Sequence, residues 1–120
     1  MAKPGATGIA RIISATEYSL KGLKACWKAE AAFRQEAMAC VILVPLAFYL
    51  GDTSVEIALM ILTCMLVLIV ELLNSSIEAV VDRIGPEYHA LSGQAKDIGS
   101  AAVMISIGTL IVTWSLLLVW

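Results

Sequence analysis

Residues 70–82 read VELLNSSIEAVVD, and this stretch places three acids and an amide at one end of a long apolar run. A helix turns by about 100° per residue, so positions three, seven and eleven after Glu71 lie within about 60° of it. Those positions hold Asn74, Glu78 and Asp82. The four side chains therefore form one stripe, which we call the acidic stripe. Ionisable residues within a bilayer are costly and by default indicate a functional site.

A purely structural interpretation of the acidic stripe competes with the functional one. In this alternative the stripe faces a wet helix interface and pairs with Arg34, Lys96 or backbone donors. Because two acids and an amide share one shallowly buried face, we favour the functional interpretation.

The composition predicts a single integral membrane domain covering residues 1–120. The chain is 60% hydrophobic and 15% charged, with a mean hydropathy of +0.89. A soluble domain of this length would have too few polar residues to cover its surface. The three cysteines form no CxxC motif or Cys/His cluster, which is typical of small apolar packing residues with free thiols.

The apolar runs predict an all-α membrane protein with three transmembrane helices at 30–50, 55–81 and 98–120. An N-terminal amphipathic helix at 9–28, with isoleucine and leucine on one face and lysine on the other, is predicted to lie on the inner leaflet. Residues 82–97 are predicted to form a cytoplasmic loop, with turns at Gly85-Pro86 and Gly93 and a lone surface histidine, His89.

The positions of the basic residues predict the orientation. With three spans, all eight lysine and arginine residues fall on one side of the membrane. The positive-inside rule makes that side cytoplasmic, with the N-terminus inside and the C-terminus outside.

Further charged residues approach the level of the acidic stripe. Glu30, Arg34 and Glu36 stand at the start of the first span, and Lys96 and Asp97 at the start of the third. Two structural alternatives stay open here. Glu30 and Arg34 are i, i+4 neighbours that can pair within one helix, and Asp97 can cap a helix or complement its dipole.

These residue types suit phosphoryl transfer at a membrane surface. Carboxylates and an amide suit Mg²⁺, a lysine can neutralise phosphate, and a buried carboxylate can act as a general base. No GxxxxGK[ST] or GxGxxG motif is present. A site at this depth can meet a soluble nucleotide on its wet side and a lipid hydroxyl on its apolar side.

Three stretches together carry a family resemblance. EAAFRQE at 30–36, ELLNSSIEAVVDRIG at 71–85 and EYHALSGQAKDIGSAAV at 87–103 resemble the small prokaryotic diacylglycerol kinases. The specific feature is E-x-x-N-x-x-x-E followed downstream by AKD before an apolar helix. The pattern departs from the family at Thr16-Glu17 and Ala90, which lie outside the acidic stripe.

The resemblance implies a homotrimer with active sites shared between subunits. It implies ATP- and Mg²⁺-dependent phosphorylation of diacylglycerol to phosphatidic acid, among membrane lipids, in the inner membrane of a Gram-negative bacterium. Carried over by motif position, Glu71 is the general base, and Glu30 and Glu78 are the metal-binding carboxylates. The implied nucleotide contacts are Tyr18, Lys96, Asp97, Glu30 and Glu78. The implied substrate contacts are Arg11, Ser19, Glu36, Asn74 and Glu71. Weaker candidates for the site are Asp82, Tyr88 and His89.

Two other functions stay open at this point. An undecaprenol kinase would share the fold and the E-x-x-N-x-x-x-E core. A small oligomeric transporter or structural membrane protein would use the acids to bind protons, although acids confined to one end of a span favour interfacial chemistry. A nucleic-acid partner is not expected.

Overall fold

The structure, a computed structural model, describes residues 7–87 and 89–120, so Lys3 and the candidate Tyr88 lie outside the described residues. Within these ranges the chain forms four helices: α1 (Gly8–Ala29), α2 (Ala31–Leu50), α3 (Ser54–Ile84) and α4 (Ala90–Val119). By length and composition, α2, α3 and α4 can each span a membrane. The prediction of an all-α membrane protein with three spans is confirmed.

The predicted loop at 82–97 is mostly helical. α3 continues to Ile84 and α4 already begins at Ala90, so only five residues separate the two helices. The predicted loop extends to Lys96 and Asp97 because these charged residues border the apolar run. A charged residue at the border of an apolar run does not mark the end of a helix. The predicted turn at Gly93 is wrong, because the Gly93 amide donates to the His89 carbonyl oxygen at 3.0 Å within the first turn of α4.

Local chemistry explains where the helices begin and end. Thr53 and Glu56 form a capping box that starts α3: Thr53 Oγ1 accepts from the Glu56 amide at 3.2 Å, and Glu56 Oε2 accepts from the Thr53 amide at 3.1 Å. Gly85 ends α3 with a φ of +147°, which L side chains rarely adopt. His89 precedes α4 and its Nδ1 accepts from the Leu91 amide at 3.1 Å, so this histidine caps a helix.

The helices pack around α3. It packs most extensively against α4 and then against α2, and α1 contacts α2 and α3. The buried core lies between α2, α3 and α4 and is completed by Trp114, whose Nε1 donates to the Met60 carbonyl oxygen at 3.2 Å and to Thr63 Oγ1 at 3.1 Å. These bonds fix α4 against α3 and thereby set the position of the site. The core residues are Cys40, Ala47, Met60, Cys64 and Trp114.

Large apolar side chains cover much of the outer surface of a single chain. Val41 of α2 is 74% exposed, and Ile69 of α3 and Ile105 of α4 are also exposed. Soluble monomers rarely expose so much continuous apolar surface. These faces therefore fit contact with lipid or with other membrane helices.

Candidate active site

The acidic stripe lies where α3 leaves the predicted hydrocarbon core. Glu71 is about 26 Å along α3 from Ser54, whereas the core of a bilayer is about 30 Å thick. Glu71 is only 4% exposed. Asn74 and Glu78 are half-buried, and Asp82 is exposed. The stripe thus runs from a buried carboxylate to a solvent-exposed one within three helical turns.

Asn74 connects the two central carboxylates of the stripe. Its Nδ2 lies 3.4 Å from Glu71 Oε2 and 3.5 Å from Glu78 Oε1, in two long hydrogen bonds that it donates. Its Oδ1 is buried and has no hydrogen-bond partner among the described residues. Displacing this one amide would therefore disturb both carboxylates.

Glu36 on α2 lies near the buried end of the stripe, beside Glu71. Its carboxylate is close enough to Glu71 for the two charges to repel each other. Its Oε2 is buried and lacks a hydrogen-bond partner among the residues that the structure describes. A buried acceptor without a donor is expensive, so this atom faces a position that suits a proton or a hydroxyl group.

Glu30 is the one non-helical residue between α1 and α2, and its carboxyl meets Glu78. Its backbone is extended, with φ −116° and ψ 110°. Burial is the largest cause of a raised pKa at the Glu30 carboxyl. Repulsion from Glu78 and a hydrogen bond with Glu78 also raise this pKa. Glu71 and Asp82 raise this pKa further. The corner between α1 and α2 therefore brings two mutually repelling carboxyls together, an arrangement that a cation would relieve.

The alternative ion pair between Glu30 and Arg34 does not form. Arg34 Nη1 instead donates to the carbonyl oxygens of Trp27 at 2.6 Å and Lys28 at 3.2 Å, at the end of α1. In the described part of the chain the only ion pair joins Lys96 to Asp82. Arg34 thus caps α1 and leaves the Glu30 carboxylate available.

Lys96 lies beside the outer end of the stripe. Its Nζ is 2.7 Å from Asp82 Oδ1, which links α4 to α3. Asp97 is exposed and lies in the third turn of α4. The interpretation of Asp97 as a cap or as a charge in the first turn is therefore wrong, since that position belongs to His89.

A groove of about 730 Å³ lies between α1 and α3. Most of its wall is apolar or small, and Glu30, Glu78 and Asp82 form its acidic end. Such a groove suits an elongated molecule with an apolar body and one polar end. The wall residues of the groove are Ser19, Gly22, Leu23, Ala25, Cys26, Ala29, Leu72, Ser75, Ser76 and Ala79.

Only some of the predicted site residues reach this groove. Glu30, Glu78 and Ser19 line it, while Glu71, Asn74 and Glu36 lie behind it in the helix interface. Arg11 and Tyr18 lie on α1 outside the groove, and the Tyr18 ring lies 5.7 Å from Lys21 Nζ. Lys96 and Asp97 do not line it either. The structure of one chain thus brings the carboxylates together, but it leaves three of the implied nucleotide contacts, Tyr18, Lys96 and Asp97, outside the groove.

The donor set fits a magnesium ion bound partly by substrate. Among the described residues no cluster of three His, Cys, Asp or Glu side chains is arranged to hold a metal. Mg²⁺, however, is usually bound by one or two carboxylates together with phosphate and water oxygens. The Glu30–Glu78 pair, with its raised Glu30 pKa, supplies such a pair of carboxylates.

The sequence analysis did not predict the contacts of three residues near the stripe, Cys26, Ser75 and Gly99. Cys26 Sγ donates to Ser75 Oγ at 3.4 Å and so joins α1 to the wall of the groove. Gly99 on α4 is buried against Asn74. A glycine inside a helical run is a signal for close packing and could have drawn attention to Gly99, but the Cys26 contact depends on how two helices meet.

The family model "Prokaryotic diacylglycerol kinase" matches residues 17–118. A diacylglycerol kinase of Escherichia coli K12 is 57% identical over 112 residues, which cover 93% of this chain and 92% of that protein. Diacylglycerol kinases of Haemophilus influenzae and Pseudomonas aeruginosa are each 53% identical, covering 90% and 95% of this chain and 92% and 93% of their own lengths. The chain therefore belongs to the prokaryotic diacylglycerol kinase family.

Proposed function

We propose that this protein is an ATP- and Mg²⁺-dependent diacylglycerol kinase that forms phosphatidic acid at the cytoplasmic face of a bacterial inner membrane. The names of relatives more than half identical over nearly the whole chain support the reaction. The observation that carries the proposal is the groove between α1 and α3, which is apolar along its wall and acidic at one end. Diacylglycerol has the matching shape: two apolar chains and one hydroxyl.

In this proposal the groove holds the lipid with its hydroxyl toward the acidic end. Glu71 lies behind the groove wall and is the general base in this proposal, so the hydroxyl has to pass the groove lining at Glu78 to reach it. Asn74 holds the Glu71 carboxylate beside that of Glu78. Glu36 lies close to Glu71 and in this proposal helps to bind the substrate hydroxyl beside it. Ser19, in the groove wall, and Arg11, further along α1, assist lipid binding.

Glu30 and Glu78 hold the magnesium ion that accompanies the nucleotide. When bound, this ion neutralises phosphate charge and orients the transferred group. In our proposal Lys96 binds phosphate at the outer end of the stripe after exchanging its contact with Asp82. Asp97 and Tyr18 are exposed and form further nucleotide contacts in our proposal.

The test of this function is a coupled ATPase assay with short-chain diacylglycerol and the Glu71→Gln variant. We expect lipid-dependent turnover in the wild type and a loss of about 10²–10⁴-fold in Glu71→Gln, because the amide keeps the size but cannot accept the proton. The circular dichroism spectrum should be unchanged. If Glu71→Gln kept most of its activity while Glu78→Gln lost it at every Mg²⁺ concentration, Glu78, which lines the groove, would be the base.

Two other functions are separated by the same assay. A substrate panel containing undecaprenol identifies an undecaprenol kinase, which this fold would also accommodate. A transporter would show no lipid-dependent nucleotide turnover. The confinement of the stripe to the last part of α3 disfavours a proton path through the membrane, since such a path needs polar groups at the bilayer centre.

A further inference from the structure

Gly99 of α4 is buried directly against the side chain of Asn74 on α3. A Cβ atom at position 99 would overlap Asn74 Oδ1 and lie 3.2 Å from Asn74 Cγ. Apart from the nearby backbone of α4, the three atoms nearest to this Cβ position all belong to Asn74. The third of them, Asn74 Cβ, is 3.9 Å away. Any other described neighbour is therefore at ordinary contact distance or beyond, so the crowding would fall on Asn74 alone.

Asn74 has little freedom to move without disturbing the carboxylates. Its Nδ2 is shared between Glu71 Oε2 and Glu78 Oε1. Its Oδ1 points the other way, toward Gly99, and has no hydrogen-bond donor among the described residues. The bare backbone at position 99 is what leaves room for this orientation of the amide.

We propose that Gly99 is a positioning residue that acts through Asn74. The absence of a side chain at position 99 lets the Asn74 amide stand between Glu71 and Glu78 with its donor group toward both. The catalytic part of this inference rests on the proposed kinase function; the geometric part, that position 99 sets the position of the Asn74 amide, does not.

The central test is Gly99→Ala, with Gly108→Ala as a matched control. Both glycines lie on α4, and a Cβ at Gly108 meets none of the described atoms within 4 Å. Both changes replace glycine by the better helix former. The end of the short Asn74 side chain can rotate away, so we expect Gly99→Ala to fold with a thermal midpoint close to that of Gly108→Ala.

The expected kinetic effect is selective. Gly99 does not line the groove, so the KM for diacylglycerol should stay within about twofold, whereas kcat should fall by about 10- to 100-fold because a displaced catalytic group costs rate and not lipid binding. Gly108→Ala should keep wild-type kcat. An unchanged kcat in Gly99→Ala, or an equal loss in both variants, would overturn the positioning role.

A readout independent of activity is the side-chain amide of Asn74. Asn74 is the only asparagine in the chain, so protein labelled with ¹⁵N-asparagine in detergent micelles gives one pair of side-chain amide signals. Gly99→Ala should move this pair, and Gly108→Ala should leave it in place. Signals that do not move in Gly99→Ala would overturn the inference, whatever the activity. If they move but the wild type does not phosphorylate diacylglycerol, the proposed function fails and the geometric part stands.

A double-mutant cycle tests whether the effect passes through Asn74. Asn74→Ala removes the group that a methyl at position 99 would displace. Adding Gly99→Ala to Asn74→Ala should therefore cause no further loss of the residual kcat. A further loss as large as that of Gly99→Ala alone would show that position 99 acts by another route and would overturn the proposal.

Discussion

The Glu30 carboxyl is partly buried and lies close to another acid, Glu78. Both raise its pKa above 4.5, the ordinary value for glutamate. The direction of this pKa shift matters for metal binding. A raised pKa means that the carboxyl keeps its proton to a higher pH than an exposed glutamate would. Since a metal binds the ionised form, protons compete with Mg²⁺ at this residue.

We therefore predict that the Mg²⁺ concentration needed for half-maximal activity rises as the pH falls through the raised pKa of Glu30. Glu30→Gln should need more Mg²⁺ than the wild type above this pKa, the difference should shrink below it, and the variant should lose this proton competition because the amide does not titrate. Activity titrated with Mg²⁺ at a series of pH values measures both effects. Glu87→Gln, an exposed acid between α3 and α4, is the control. A pH dependence that is the same in Glu30→Gln as in the wild type would exclude Glu30 as a ligand.

At the scale of single residues, the period of a helix was enough to predict the acidic stripe. The placement of Glu71, Asn74 and Glu78 on one face of a helix follows from their spacing alone. The role of Gly99 does not, because it depends on the register of α4 against α3. That register is set by contacts such as the bonds of Trp114 to Met60 and Thr63, which no local pattern reveals.

The corner between α1 and α2 is the element that places Glu30. Arg34 holds this corner by donating to the carbonyl oxygens of Trp27 and Lys28, two of the unsatisfied carbonyls at the end of α1. These hydrogen bonds are charge-assisted and one is short, at 2.6 Å. The position of Glu30 therefore depends on a side chain one turn into the next helix.

We predict that Arg34→Ala lowers the free energy of unfolding by about 1.5–3 kcal/mol, the range for hydrogen bonds to charged groups. It should also raise the Mg²⁺ requirement, because the corner that holds Glu30 loosens. Lys28→Ala is the matched control: it removes one positive charge from the last turn of α1 but not these hydrogen bonds. Thermal unfolding in micelles and Mg²⁺ titration measure the two effects. If both variants lost the same free energy of unfolding and needed the same Mg²⁺ concentration, Arg34 would act only through its positive charge.

Helix boundaries were the weakest sequence prediction at the scale of elements. The run 98–120 was defined by the absence of charge, yet α4 begins eight residues earlier, at Ala90. Ala90–Asp97 contains good helix formers such as leucine, glutamine, alanine and lysine, and His89 caps the start. Hydropathy marks where a chain leaves the lipid, whereas capping marks where a helix ends.

For the whole molecule, the distribution of charge predicts that the turn at 51–53 faces outside and the segment at 85–97 faces inside. We expect Asp52→Cys, in a cysteine-free background, to react with an impermeant thiol reagent added to intact spheroplasts. Gln94→Cys should be protected until the membrane is permeabilised. Both positions are exposed in the structure, so burial does not explain a difference. The reverse labelling pattern would place the acidic stripe on the side without ATP.

The distribution of site residues over one chain is the main reason to propose an oligomer. Asp97 is exposed and lies outside the groove, whereas Glu71 is buried beside Glu36. Small residues on α4, such as Ser100 and Ala101, are also exposed and would permit close packing of further helices. The family resemblance implies a trimer, in which Asp97 of one subunit could complete the site of its neighbour.

Mixing two inactive variants tests this shared site. Glu71→Gln and Asp97→Asn would be unfolded, combined in equal amounts and refolded in micelles. If the two residues of one site come from different chains, about a quarter of all interfaces in the randomly assembled trimers contain both native residues, and activity should recover to that fraction of the wild type. Glu71→Gln mixed with Asn74→Ala is the control, since these two residues are joined by a hydrogen bond within one chain and should not complement each other. No recovery with Asp97→Asn, while pull-down of a tagged subunit shows mixed trimers, would place Glu71 and Asp97 of each site in the same chain.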